Sequence, residues 1–149
     1  MNKLMELASS SKYKEWATPV ELYEALNREF SFTIDVCASP WNAKHSCYWT
    51  KEDDALKQDW TDHRCFMNPP YGRELNRWIQ KAFLEAHKGA LVVALIPART
   101  DTTYWHDFIE GKQEVRFIKG RVKFLTQKGE KGNAPFPSAI VIFRPDWNK

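Results

Sequence analysis

Long apolar runs are missing from this 149-residue sequence. The longest, residues 90–98, is far shorter than the roughly 18 residues that a membrane-spanning helix needs. The N-terminal residues also lack the apolar core of a secretory signal peptide. We therefore expect a cytoplasmic protein that does not bind membranes.

Cysteine is scarce and irregularly spaced. Only three cysteines are present and no two of them form a Cys-x-x-Cys pair, which argues against both a disulfide framework and a common zinc module. Two His-x-Cys triplets, residues 45–47 and 63–65, could gather around a metal with Cys37. Their spacing matches no familiar site, so we expect no bound metal.

Low-complexity runs are absent as well. The sequence is 43% hydrophobic and 14% aromatic, which is typical of a chain that folds. Its length allows one hydrophobic core and is too short for two ordinary domains. We predict a single domain over residues 1–149, in which residues 1–13 form a flexible N-terminal segment.

Basic residues are concentrated in the second half of the chain. The formal charge is −3 over residues 1–60 and +6 over residues 61–149. Within residues 112–131, seven Lys and Arg side chains stand against two Glu. This density suits contact with a phosphate backbone, and a solvated basic hairpin is the alternative.

Apolar periodicity predicts an alternation of helices and strands. Residues 41–61 show no clear period and are expected to form mostly loop. Helices are predicted over residues 19–28, 75–88 and 100–109, and strands over residues 32–36, 64–67, 90–96, 115–118, 122–124 and 139–143. The alternation indicates an α/β sheet that is mostly parallel at its centre and has an antiparallel pair at its C-terminal edge.

Polar or proline-marked loops follow three of the predicted strands. They are residues 35–39, 68–71 and 97–100. In α/β sheets, ligands bind at the carboxyl ends of the strands. We therefore expect these three loops to meet at one edge of the sheet and to form the functional site there.

The segment Asn68-Pro69-Pro70-Tyr71 must be a rigid turn, because two successive prolines lack amide donors. Such a turn suits methyl transfer to an aromatic amine. That reaction needs hydrogen-bond acceptors for the two N–H groups of the amine, and the Asn68 side chain and the Pro69 carbonyl can supply them. Tyr71 can stack on the base, which must be flipped out of a duplex. The absence of a Pro-Cys pair argues against attack on a cytosine ring carbon.

Four segments extend this interpretation to most of the chain. They are residues 16–19 (Trp-Ala-Thr-Pro), 35–38 (Asp-Val-Cys-Ala), 68–71 (Asn-Pro-Pro-Tyr) and 121–124 (Arg-Val-Lys-Phe). In this order they resemble the phage-encoded DNA N6-adenine methyltransferase (Dam) family. The resemblance implies a Rossmann-like methyltransferase fold, S-adenosyl-L-methionine as cofactor, double-stranded DNA as substrate and action in the cytoplasm of a bacterial host.

The resemblance also implies which residues bind the cofactor. Thr18 and Pro19 match a segment that touches its methionine part, and the Asn68 motif adjoins it. Asp35, Cys37 and Ala38 match the first cofactor loop, in which the Asp35 carboxylate can pair with the cofactor's ammonium group. This loop lacks the Gly-x-Gly of the common methyltransferase pattern.

Ribose hydroxyls and the cofactor's adenine amine call for carboxylate acceptors. The candidates are Glu52, Asp53, Asp54 and Asp59, of which we favour Asp54 and Asp59; exposed loop acids are the alternative. Trp60 and Phe66 can flank the cofactor's adenine, although core packing is the more usual role for such residues.

Candidate DNA contacts lie in two places. Arg99 directly follows the central strand and can reach a phosphate near the target base, or form a surface salt bridge. The basic C-terminal segment supplies the remaining candidates, which are Lys119, Arg121, Lys123, Lys128 and Lys131.

Other substrates and a noncatalytic role remain open at this point. The same motif chemistry serves N4-cytosine, RNA bases and protein amides, and the missing Gly-x-Gly also fits a nucleic-acid-binding relative without cofactor. The basic C-terminal half and the whole-chain resemblance favour DNA.

Overall fold

A central five-stranded sheet organises the protein in a computed structural model that describes residues 16–146. The predicted flexible segment, residues 1–13, lies outside the described residues. In chain order the strands are β1 (Ile34–Asp35), β2 (Arg64–Met67), β3 (Leu91–Pro97), β4 (Glu114–Phe117), β5 (Lys123–Leu125), β6 (Lys131–Asn133) and β7 (Ser138–Phe143).

The sheet has the order β1-β2-β3-β7-β4. β1, β2 and β3 are parallel, with Asp35 beside Phe66 and Met67 beside Ala94. β7 is antiparallel to both β3 and β4, so β4 runs in the same direction as β3. The structure confirms the predicted mixed α/β class and the parallel pairing of the first strands of the sheet.

Two helices cover opposite faces of the sheet, α1 (Val20–Phe30) and α2 (Leu75–Lys88). α1 packs on one face through its buried apolar stripe of Tyr23, Leu26 and Phe30, because these residues recur at helical spacing. α2 packs on the other face through a stripe that includes Ile79 and Ala82. Both helices begin near the carboxyl ends of the parallel strands and end near the amino ends of those strands, at the opposite edge of the sheet.

Two elements differ from the sequence-based expectation. The predicted helix over residues 100–109 is only a short π-helical turn, Trp105–Ile109. The predicted strand at 122–124 lies outside the main sheet, as β5 of a two-stranded hairpin with β6. Apolar alternation shows that a segment is extended, but it does not show which strand pairs with it.

No helix within residues 16–146 is both long enough and apolar enough to cross a membrane. Over the same residues, no group of three or more His, Cys, Asp or Glu side chains is placed to hold a metal ion.

Candidate active site

The loops that follow β1, β2 and β3 meet at one edge of the sheet. Parallel pairing aligns the carboxyl ends of the three strands, so Cys37, Asn68 and Ala98 all begin loops at that edge. The Asn68-Pro69-Pro70-Tyr71 turn joins β2 to α2. Gly72 closes the turn with φ of +116°, a conformation that residues with a Cβ rarely adopt.

The side-chain amide of Asn68 is held from both ends. Its Nδ2 donates a hydrogen bond to Oγ1 of Thr18 at 2.9 Å, and its Oδ1 accepts one from the Tyr71 hydroxyl at 2.8 Å. Thr18 is only 2% exposed. Because an amide oxygen has two lone pairs, Oδ1 can accept a further hydrogen bond from a ligand.

Tyr71 lies within an aromatic cluster drawn from distant parts of the chain. Its ring makes edge-on contacts with Trp16, Phe124 and Phe136 at centroid distances of 6.1, 6.2 and 5.5 Å. Its hydroxyl also lies 3.0 Å from the Leu95 carbonyl oxygen on β3. Burial raises the pKa of this hydroxyl, so it remains a hydrogen-bond donor at neutral pH.

Arg99 is brought to the same place by the end of β3. Its side chain is exposed, and its guanidinium carbon lies 5.6 Å from the centroid of the Phe136 ring that contacts Tyr71. A cation at this position stands beside the aromatic cluster and remains open to solvent.

Asp35 is a buried carboxylate, 2% exposed, at the end of β1. Its Oδ1 accepts the Cys37 amide at 3.3 Å and its Oδ2 accepts the Lys44 amide at 3.0 Å. Burial raises its pKa to about 7, although these hydrogen bonds and the Lys44 charge oppose the rise. The carboxylate therefore shapes the loop over residues 37–44, which has no Gly-x-Gly.

Residues 47–49 form a short extended segment, which pairs in parallel with the end of β1, and this pairing continues as far as Ala38. Asp35 donates its amide to the Cys47 carbonyl at 3.1 Å, and Ala38 donates its amide to the Trp49 carbonyl at 3.0 Å. This pairing carries residues 50–54 past the end of β1, to the same edge as Asn68. The Cys37 thiol beside this loop is partly buried, and its pKa is raised by burial and by the neighbouring carboxylates Asp35 and Glu74.

The acidic candidates separate into two groups. Asp54, with φ of +53°, lies in the 50–54 turn at the site edge, 3.6 Å from the Lys57 ammonium. Asp59 lies at the opposite edge, where it pairs with Lys88 at the end of α2 at 3.4 Å, and hydrogen bonds from Thr61 lower its pKa to about 2. Asp54 thus follows the segment that pairs with β1, whereas Asp59 contacts the end of α2.

Two aromatic candidates of this region belong to the core. Trp60 is fully buried and donates its indole N–H to the Ala55 carbonyl at 2.8 Å. Phe66 is 1% exposed and packs against Tyr23 of α1. Both side chains pack as core residues.

The basic candidates of the C-terminal segment are exposed and lie on or beside the β5–β6 hairpin. Phe124 points into the core, whereas Lys123 and Lys131 lie on the opposite, outer face because Lys131 pairs with Leu125. The exposed side chains are Lys119, Arg121, Lys123, Lys128 and Lys131. Reciprocal hydrogen bonds between Ala17 and Leu125 attach this hairpin to the segment that contains Thr18.

Sequence reasoning assigned no role to two residues of the aromatic cluster, Trp16 and Phe136. Trp16 stands in one of the four matched segments and Phe136 lies between two prolines that precede β7. A proline on each side restricts the backbone, which was the available signal that Phe136 has a fixed position.

A mixed α/β sheet with a preorganised Asn-Pro-Pro-Tyr turn at its carboxyl edge defines a methyltransferase that acts on an amino group. The chain belongs to the DNA N-6-adenine-methyltransferase (Dam) family, whose family model matches residues 7–149. It is thus a DNA adenine methyltransferase, a function that requires a methyl donor and DNA as substrate.

Two relatives accompany this match. The chain is 27% identical over 135 residues to the "DNA N-6-adenine-methyltransferase" of Haemophilus phage HP1 (strain HP1c1), a match covering 87% of this chain and 78% of the relative. It is 36% identical over 64 residues to the "Putative methyltransferase YfdM" of Escherichia coli (strain K12), covering 38% of this chain and 70% of that protein.

Proposed function

We propose that this protein is a single Rossmann-like domain over residues 1–149 that transfers a methyl group from S-adenosyl-L-methionine to N6 of a flipped adenine in double-stranded DNA. The observation that carries the proposal is the Asn68 amide, which is held between Thr18 and Tyr71 at the carboxyl edge of the sheet. A phage relative supports action in the cytoplasm of a bacterial host.

The target amine is bound by the Asn-Pro-Pro-Tyr turn. Oδ1 of Asn68 and the Pro69 carbonyl accept the two N–H bonds of the amine, which directs its lone pair away from the ring. The turn is rigid, so these acceptors need no reorganisation during the reaction. No covalent intermediate with the protein is required, since positioning is the main task of the site.

The flipped base stacks on Tyr71. The edges of this ring are held by Trp16, Phe124 and Phe136, which keeps its plane fixed. Extruding a paired base costs a few kcal/mol, and stacking with two hydrogen bonds offsets part of that cost.

The cofactor fits the loop after β1. When bound, it supplies an activated methyl group on a sulfonium. The desolvated Asp35 carboxylate, whose pKa is raised to about 7, is the partner that a cationic ammonium group would stabilise. Pro19, Cys37 and Ala38 are the further cofactor residues of this region, and Asp54 is the carboxylate at that edge; we leave Asp59 out of the proposed site, and the Thr18 side chain contacts Asn68.

DNA is held by the basic surface around the site. Arg99 contacts a phosphate near the flipped base, and the hairpin cations Lys119, Arg121, Lys123, Lys128 and Lys131 contact the backbone of the duplex. Lys119 follows the end of β4, so it lies at the same edge as Arg99.

Labelled S-adenosyl-L-methionine and unmodified double-stranded DNA test the proposal, with nucleoside analysis of the product. We expect label in N6-methyladenine. Label in N4-methylcytosine, or transfer to RNA or protein but not to DNA when these are supplied instead, would assign a different substrate. Cofactor binding without transfer to any of these would contradict the enzymatic function.

Asn68→Ala tests whether the Asn68 amide takes part in the reaction. It should slow methyl transfer about 100- to 1000-fold, the scale for one preorganised polar partner, while calorimetry shows cofactor affinity within a few-fold of the original. A fully active Asn68→Ala variant would remove this residue from the reaction.

A further inference from the structure

We propose that Thr18 is a positioning residue, which together with the Tyr71 hydroxyl holds the Asn68 amide in place so that its oxygen is available to the target amine. The inference rests on the proposed function. It gives Thr18 a role different from the cofactor contact that the family resemblance implies.

The two ends of an amide have opposite hydrogen-bonding character. The oxygen accepts, whereas the NH2 group only donates. The amine of adenine brings N–H donors, so only the oxygen of Asn68 is useful to it. Rotation about the last side-chain torsion of Asn has a broad, roughly two-fold preference, so neighbouring groups must hold the amide in place.

Thr18 supplies an acceptor for the NH2 end. Its Oγ1 lies 2.9 Å from Asn68 Nδ2, and the residue is 2% exposed. Its backbone is anchored on one side by the Ala17 to Leu125 hydrogen bonds, 2.9 and 3.1 Å long, and is followed on the other by Pro19 and α1. The hydroxyl therefore cannot move far from Asn68.

Tyr71 supplies a donor for the oxygen end. Its hydroxyl lies 2.8 Å from Asn68 Oδ1 and 3.0 Å from the Leu95 carbonyl oxygen, but it has one proton to give. Thr18 and Tyr71 therefore hold the two ends of the same amide.

Loss of the Thr18 oxygen should release one end of the amide. With valine in its place, Asn68 Nδ2 loses the partner that it has in the structure, and the amide is held through Tyr71 alone. Because the last torsion of an Asn side chain is broad, the amide should then sample other orientations. The fraction of enzyme whose Asn68 oxygen is placed for the target amine should therefore fall.

The first test compares Thr18→Val with Thr18→Ser. In single-turnover assays, Thr18→Val should slow methyl transfer about five- to tenfold, the effect expected from losing one hydrogen bond, with cofactor affinity by calorimetry unchanged within about twofold. Thr18→Ser should restore the rate. Thr33→Val removes a hydroxyl that bonds Arg64 at the opposite edge, and it should leave the rate unchanged.

The second test asks whether Thr18 and Tyr71 act on one amide. Because both hold the same group, the rate losses of Thr18→Val and Tyr71→Phe should combine to less than their product. The losses of Thr33→Val and Tyr71→Phe should simply multiply.

Three results would overturn the inference: a Thr18→Val variant as fast as the original, a loss of rate matched by an equal loss of cofactor affinity, or fully multiplicative losses with Tyr71→Phe. The second result would place Thr18 at the cofactor instead. If the unaltered protein transfers no methyl group to DNA adenine, the proposed function fails; if it does and Thr18→Val is unaffected, only this inference fails.

Discussion

At the scale of single residues, the proposed mechanism gives Tyr71 two functions that the sequence alone did not separate. In that proposal its ring is the stacking surface for the base, which the motif already suggested. Its hydroxyl contacts the Asn68 amide at 2.8 Å, a contact that becomes visible only in the folded turn. The ring and the hydroxyl can be tested independently because phenylalanine keeps the first and removes the second.

We expect Tyr71→Phe to transfer the methyl group more slowly than the original enzyme, and Tyr71→Ala to be slower still. The phenylalanine variant loses about one hydrogen bond, whereas alanine also loses base stacking of about 1–3 kcal/mol. Single-turnover rates measure both losses, and the fluorescence of 2-aminopurine at the target position should rise on binding of the original enzyme as the base leaves the stack.

Tyr23→Phe is the matched control for the hydroxyl. The Tyr23 hydroxyl is buried on α1 and has no hydrogen-bond partner among residues 16–146, so its removal should leave the rate unchanged. Equal rates for Tyr71→Phe and Tyr71→Ala would argue against the stacking role, and an unchanged 2-aminopurine signal during active methylation would argue against base flipping.

Asp35 predicts a pH dependence of stability with a defined sign. Its folded pKa is raised from 3.8 to about 7 by burial, so the folded state holds a proton that the unfolded state has already lost. Between about pH 4 and pH 7 the free energy of unfolding should therefore fall as pH rises, with a contribution of at most about 1.4 kcal/mol per pH unit. Above pH 7 this contribution should be constant.

Asp35→Asn isolates that contribution because the amide does not titrate. Denaturant unfolding between pH 4.5 and 8 should show a flatter profile for the variant than for the original protein. The same substitution should weaken cofactor binding at pH 8, where the carboxylate is ionised. Parallel pH profiles, or unchanged cofactor affinity, would contradict the assigned role of this carboxyl.

At the scale of elements, the connection from β2 to α2 determines where Asn68 and Tyr71 lie. The prolines restrict its first half, and Gly72 closes it with φ of +116°. A Cβ at Gly72 would meet no heavy atom within 4 Å, so substitution there acts through the backbone conformation alone.

Gly72→Ala should lower the free energy of unfolding by about 1–3 kcal/mol, the usual cost of such a backbone position, and should also slow methylation because the turn shifts. Gly111→Ala is a suitable control, since φ there is +71° and the space is equally open. It should reduce stability with little effect on the rate of the folded protein. Equal rates for the two variants would show that the turn geometry is not critical.

At the scale of the whole molecule, two groups of basic side chains lie one at each end of the strands of the sheet. Lys119, Arg99 and the hairpin cations lie around the carboxyl edge of the sheet. Arg28, in the last turn of α1, and Lys112, which precedes β4, lie at the opposite edge. This arrangement allows two double variants with the same change of net charge and different positions.

Lys123→Glu combined with Lys131→Glu should weaken DNA binding strongly at low salt and reduce the slope of log affinity against log salt by roughly two, because about two phosphate contacts are lost. Cofactor affinity should not change. The control pair, Arg28→Glu with Lys112→Glu, should have a much smaller effect in the same titrations. Equal effects from both pairs would mean that net charge, not the hairpin, determines binding.

Local patterns in the sequence determined a substantial part of this protein. Helical periodicity identified α1 and α2, and uniform apolarity identified β3 as a central strand. The two prolines after Asn68 required a rigid turn whatever the rest of the fold. These features depend on residues close together in the chain, so their physical causes can be read there.

The tertiary structure alone decided which distant residues meet. The hydrogen bond from Asn68 to Thr18 joins residues 50 positions apart, and Trp16 contacts Tyr71 next to the point where Ala17 pairs with Leu125. Asp54 and Asp59 look alike in sequence, yet they lie at opposite edges of the sheet. Strand order and register arise from packing across the whole core, and no local pattern contains that information.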